Sequence, residues 1–229
     1  MSYRLSALAF CAVFAVASVC QASLGPLQIK LDDSSGTIVI EDGGAGDLNN
    51  VDGEVTIVES LGVWTSNISS GVTAPSLGTT SVPEMDLISY NATSTSAGTM
   101  TVSITAKYIP NSPLIGGFTH TIGGTTSGTV STSLYIGTSA FDTSTQITTM
   151  TPTLTGMAPT FAFADQTQGF DDGMDEDYWL TLTADVEHFG AGATSFNIKV
   201  DAIPEPASIA VWTLMAGIGS LIWIRRRSK

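Results

Sequence analysis

The chain is poor in exactly the groups that many activities need. It has two cysteines in 229 residues, Cys11 and Cys20, and no thiol follows them. Disulfides, thiolate metal sites and cysteine nucleophiles are thereby excluded from everything after residue 20. Basic residues are scarce too: between Arg4 and Arg225 three lysines, Lys30, Lys107 and Lys199, stand against all 21 acids, a formal charge of −18. A surface of that sign repels phosphate, which argues against a nucleic-acid partner held by Lys and Arg. Histidine occurs twice, as His120 and His188, and the body holds no Gly-x-Ser-x-Gly elbow, so a hydrolase would lack its usual nucleophile and base. No enzymatic activity is expected.

Long apolar runs are confined to the two ends. Residues 1–22 place Arg4 before the run Leu5 to Val19 and close on Cys20-Gln21-Ala22. That is the layout of a secretory signal peptide cut before Ser23, and its apolar run is short for a membrane span. Ala207 to Ile224 carries no ionisable residue over 18 positions. As a helix it would reach roughly 27 Å, enough to cross a bilayer once. Arg225, Arg226, Arg227 and Lys229 follow and resist translocation, so the expected topology leaves them cytoplasmic and the acidic body outside.

The span is preceded by Pro204-Glu205-Pro206, in which both prolines disfavour helix and the carboxylate stays out of hydrocarbon. Pro-Glu-Pro, one apolar helix and a terminal arginine cluster, together over residues 204–229, resemble the PEP-CTERM sorting signal of Gram-negative bacteria, also called the ice-binding protein C-terminal domain. The resemblance implies that 204–206 is a motif read by a membrane-embedded exosortase, with 207–224 as transmembrane helix and 225–229 as basic cytoplasmic end. The stretch Gly43-Gly44-Ala45-Gly46-Asp47-Leu48, with Trp64 and Pro83-Glu84-Met85-Asp86-Leu87, also looks like the bodies of such exported proteins, which carry no known activity.

Residues 23–203 are rich in Thr, Ser and Gly and alternate apolar with polar residues over short runs: Leu27 to Leu31, Thr37 to Ile40, Val55 to Val58, Met100 to Ala106, Tyr178 to Thr183 and Phe196 to Val200. Period-two patterning gives strands with one wet and one buried face, and frequent Gly, Pro, Asn and Asp give turns. The expected fold is an all-β β-sandwich, jelly-roll or immunoglobulin-like, ahead of the single C-terminal helix. Asp201 to Pro206 reads as a linker.

Two acidic segments invite Ca²⁺: Asp171-Asp172-Gly173-Met174-Asp175-Glu176-Asp177, where Asp171, Asp172, Asp175 and Asp177 are the candidate ligands, and Asp47 to Glu54. Neither has the EF-hand spacing, and a solvated acidic loop is the plainer reading. No other cofactor is expected. Thr-x-Thr pairs such as Thr99/Thr101, Thr119/Thr121, Thr151/Thr153/Thr155 and Thr181/Thr183 lack the constant period an ice-binding ladder needs. Asn67-Ile68-Ser69 and Asn91-Ala92-Thr93 match glycosylation acceptors, which matters only in a host with that machinery. The sequence thus points to an exported structural or interaction protein of the cell envelope or extracellular matrix, handled by the secretion machinery and an exosortase. The alternative is a carbohydrate-binding module for envelope polysaccharide, with Trp64, Trp179 or Tyr90 exposed on one face.

Overall fold

The structure is a computed structural model that describes residues 25–79, 82–109, 115–150, 160–168 and 177–204. The segment 1–22 expected to be a signal peptide, the tail from Glu205 onward and the candidate ligands Asp171, Asp172 and Asp175 lie outside the described residues. Among the described residues no helix is long and apolar enough to cross a membrane.

Twelve strands follow one another: β1 (Gln28–Asp33), β2 (Gly36–Glu41), β3 (Glu54–Leu61), β4 (Trp64–Val72), β5 (Glu84–Ser94), β6 (Gly98–Tyr108), β7 (Ile115–Thr126), β8 (Thr129–Gly137), β9 (Thr145–Met150), β10 (Thr160–Gln168), β11 (Tyr178–His188) and β12 (Gly192–Pro204). They form two antiparallel sheets, the first ordered β2-β1-β6-β11-β8-β9 and the second β10-β7-β12-β5-β4-β3. The all-β sandwich expected from the alternation is what forms. From β5 onward each strand steps to the opposite sheet, except that β8 and β9 are neighbours in the first. At one margin β1 and β2 meet β3, and at the other β9 meets β10.

Burial follows the pleat. On β11 the residues Tyr178, Leu180, Leu182, Ala184, Val186 and His188 point inward, while Trp179, Asp185 and Glu187 point out. On β6 Met100, Val102, Ile104, Ala106 and Tyr108 are their counterparts. Both sheets contribute to a single apolar core, in which Trp64, Tyr90, Tyr108, Tyr178, Phe118 and Phe196 are the largest fully buried side chains. Tyr108 and Tyr90 keep their hydroxyls paired. Tyr108 bonds Thr73 and donates to the Glu84 carbonyl at 3.1 Å, and Tyr90 bonds Ser66 at 3.2 Å. Burial pushes the Tyr90 phenol up to about 12, against the smaller opposing effect of Ser66.

The linker reading of Asp201 to Pro206 needs correction. Asp201, Ala202 and Ile203 continue β12, in register with Thr119, Phe118 and Gly117 of β7, and Pro204 closes the ladder opposite Ile115. Alternation explains it: Ile198, Val200 and Ala202 extend one inward-facing row, so the strand runs on to the proline that stops it.

Candidate binding cleft

Trp179 is the second residue of β11, and its parity turns the indole away from the core. Its register partners are Lys107 of β6 on one side and Gly137 of β8 on the other. Lys107 Nζ reaches Asp177 Oδ2 at 2.9 Å, an ion pair with both side chains partly in water. Asp177, the one described member of the acidic segment, is therefore engaged with a cation of this chain. With Thr138, these residues line an open depression of about 510 Å³. That volume lies within the range of about 300–1,000 Å³ usual for small-ligand sites.

Two backbone features build the walls. Gly25, at φ +119°, brings the start of the described chain past the indole; a Cβ there would lie 3.6 Å from Trp179 Cη2. Only glycine adopts that conformation readily. Opposite, the loop between β8 and β9 is tied by Asp142, whose carboxylate accepts from the N–H groups of Ser144 at 2.9 Å and Thr138 at 3.1 Å. Those bonds, the one from Ser144 first, hold its carboxyl below the usual carboxylate range. The loop lays Phe141, at φ +59°, on the outer face of the first sheet, where Lys30 Nζ sits 5.0 Å from the ring centroid. A left-handed non-glycine residue is strained, and here the surrounding ties hold it.

The carbohydrate-binding alternative offered Trp64, Trp179 or Tyr90 as the exposed aromatic, and of these Trp64 and Tyr90 belong to the core instead. Trp64 is 1 % exposed and Tyr90 is fully buried. Each starts or sits in an inward row of β4 or β5, where Trp64 packs on His188 with ring centroids 4.7 Å apart and Tyr90 on Phe196 at 4.9 Å.

Sequence reasoning also missed a buried polar chain, because its members lie far apart along the backbone. Ser94 Oγ is 2.7 Å from His188 Nδ1, and His188 Nε2 is 2.7 Å from Thr194 Oγ1. Thr194 continues to Thr126 at 2.6 Å, which accepts from the Gly128 N–H at 3.1 Å, while Ser94 Oγ lies 3.2 Å from the Gly190 carbonyl. Every hydroxyl proton finds an acceptor in one direction only: Thr126 donates to Thr194, Thr194 to Nε2, Nδ1–H to Ser94, and Ser94 to Gly190. This direction requires a neutral imidazole, in keeping with burial, which lowers the His188 pKa. A serine next to a histidine resembles a nucleophile and its base, but here both are buried and the second ring nitrogen is held by a threonine rather than a carboxylate. The network ties together the turns at the Trp64 end of the sandwich.

His120 is its opposite. It lies in β7 with no exposure and neither ring nitrogen has a hydrogen-bond partner. Burial pushes its pKa down to about 4, with Asp165 acting in the other direction.

The acidic loop from Asp47 to Glu54 spends its oxygens on the chain itself. Asp47 accepts from the N–H groups of Gly43, Asn49 and Thr56 at 3.0, 2.9 and 3.0 Å, and Glu54 accepts from the Asn49 amide at 2.9 Å. The Asn49 N–H bond is an Asx turn, and the others tie the loop to the residues around it. Among the described residues no three His, Cys, Asp or Glu gather in a way that could hold a metal.

No family model and no curated protein matches the chain. Solved structures with similarity include the carbohydrate-binding module TmCBM61 in complex with β-1,4-galactotriose, with a TM-score of 0.32 at 7 % identity, over 50 % of this chain and 70 % of that one. A structure of carbohydrate-binding modules from the β-sandwich superfamily, described for promiscuous specificity, gives 0.32 at 17 % identity over 78 % and 74 %. The enzymatically active domain of bacteriophage CBA120 tailspike protein 4 gives 0.34 at 14 %, over 63 % of this chain and 20 % of the tailspike chain. At these scores none of the three carries an argument about ligand or activity.

Proposed function

We propose that this chain is an exported β-sandwich module that binds a glycan in the Trp179 cleft and is delivered to the cell envelope or extracellular matrix by its two ends. The observation that carries the binding reading is the outward-facing indole beside the Lys107–Asp177 pair and Thr138 in one open depression. An indole face offers a flat apolar platform for the C–H side of a sugar ring. The ammonium donates to hydroxyl oxygens, the carboxylate accepts from hydroxyl protons, and the Thr138 hydroxyl can do either. Few convergent polar groups around an aromatic is the general pattern of a small-ligand site.

The connection order of β5 to β12 supports a jelly-roll topology over an immunoglobulin-like one. Side by side in space the strands lie as β5-β12-β7-β10 in one sheet and β6-β11-β8-β9 in the other, the arrangement of two interlocked Greek keys. The β1–β2 and β3–β4 hairpins then widen the two sheets. Export and sorting rest on residues 1–22 and on the PEP-CTERM-like tail, with an exosortase as processing partner. Mass spectrometry of the exported protein is expected to find a chain that starts at Ser23 and ends near Pro204-Glu205-Pro206. Mature molecules all ending in Lys229 would remove the processing step.

The binding reading is tested on a panel of neutral and charged oligosaccharides with the wild-type protein and Trp179→Ala. Trp179 is expected to act as the aromatic anchor, so truncation should weaken binding by roughly tenfold or more while leaving the melting temperature nearly unchanged. Equal affinity of the two proteins for the same glycan would move the site elsewhere, and silence across the panel would leave the envelope role without a glycan.

A further inference from the structure

The margin of the sandwich where β9 meets β10 holds a polar group that the binding cleft does not use. His120 stands opposite Asp165 in the β7–β10 ladder, so both side chains leave the sheet on the same side, toward β8 and β9. Thr148 of β9 donates to Asp165 Oδ2 at 2.7 Å, a side-chain bridge from one sheet to the other. β10 is an edge strand: among the described residues its backbone pairs with β7 alone. Its inward row runs Phe161, Phe163, Asp165, and Phe163 is already 41 % exposed. His120 itself has no exposure and no hydrogen bond.

We propose that His120 is an acid-sensitive release for this seam: when its ring takes a proton, the Thr148–Asp165 bridge parts and β10 frays both from β9 and from its backbone ladder with β7. A neutral imidazole with two unpaired nitrogens already carries an unmet polar cost in this position, and a cation there costs far more. Water is reached most easily by opening the nearest edge, because local openings require less free energy than global unfolding. Asp165, once free of Thr148, is the carboxylate placed to face the imidazolium. It is also the charged group of β10 that acts on the ring. Among the described residues none of the inward-facing side chains of β8, β9 or β12 is titratable, so no second charge competes for the proton. The proton comes from solvent, and no covalent bond changes.

Hydrogen exchange of the full-length protein tests this, read amide by amide and corrected for the intrinsic pH dependence of exchange. Between pH 7 and pH 4.5 protection of 160–168 is expected to fall by roughly tenfold or more, while β5 and β12 hold. His120→Gln, which cannot titrate, should abolish the fall, and Thr148→Val should lower β10 protection already at pH 7. An equal fall in His120→Gln would overturn the proposal, as would undiminished protection of wild-type β10 at pH 4.5. Should the substitution prevent folding, the wild-type imidazole can be followed by NMR. A proton taken up near the ordinary histidine value, with the β10 amides unmoved, overturns the proposal equally.

Discussion

Replacing Trp64 with alanine is expected to destabilise the protein by about 3–5 kcal/mol, the range for deleting a buried aromatic. Trp64 opens β4, is 1 % exposed, and packs its ring against His188 at 4.7 Å. The loss therefore exceeds apolar contact. The void lies against the imidazole that links Ser94 to Thr194, so the chain of hydrogen bonds holding the turns around Gly128 and Gly190 loses its wall. For a domain of this size a loss of 3–5 kcal/mol corresponds to a fall of roughly 10 °C in melting temperature. Calorimetry or thermal circular dichroism reads it directly. A change under about 1 kcal/mol would mean that neighbouring side chains collapse into the space and that the packing on His188 contributes little.

A second large effect is expected from pH, and His120 sets its sign. Its pKa is about 4 in the folded protein against the ordinary 6.5. Above pH 6.5 the ring is neutral in both states and contributes no pH dependence. As pH falls from 6.5 to 4 the unfolded chain binds a proton that the folded one refuses, so stability falls with pH. Below 4 both states are protonated and the loss is complete, at about 3 kcal/mol. His188 shifts in the same direction and adds to the trend in any variant that keeps it. In His120→Leu the ring's share disappears. At pH 7.5 the variant should be as stable as the wild type or more so, since two unpaired buried nitrogens are replaced by carbon. At pH 4.5 its advantage should grow by about 2–3 kcal/mol. Urea unfolding of both proteins at the two pH values measures the difference, and parallel pH dependences would show that the ring is not the group responsible.

Much of the sandwich is legible in the alternation of Thr with Ile, Val and Leu, and each of the six runs read as strands falls within β1, β2, β3, β6, β11 or β12, give or take a residue at the start of β1. Two of the strands that escaped, β7 and β4, carry polar residues in their inward rows. β7 reads Ile-Gly-Gly-Phe-Thr-His-Thr-Ile-Gly-Gly-Thr-Thr, with His120 and Thr126 taking core positions beside Phe118 and Ile122. β4 places Ser66 between Trp64 and Ile68 in the same way. Such rows become tolerable only once a partner such as Tyr90 or Thr194 meets the hydroxyl, and partners on a neighbouring strand far along the chain leave no trace in local spacing.

The cleft was half legible for the same reason. Parity within Tyr178-Trp179-Leu180 already sets Trp179 against its neighbours, since Leu180 belongs inside. Trp64 and Tyr90 offered no such contrast, since Trp64 stands between Val63 and Thr65 and Tyr90 between Ser89 and Asn91. Lys107 and Thr138 could not be joined to Trp179 from sequence, because the ladder that aligns β6, β11 and β8 pairs residues dozens of positions apart.

Both ends of the described chain leave from the side of the sandwich that holds Trp179: Gly25 runs along the indole, and β12 travels from the His188 turns toward Pro204. Whatever is joined directly at Gly25 or Pro204, whether a lipid layer, a fusion partner or a sensor chip, therefore lies on the side of the Trp179 depression and leaves the opposite pole bare. A handle engineered into the hairpin bend at Phe189, which is 71 % exposed, would invert that geography and present the depression to open solution.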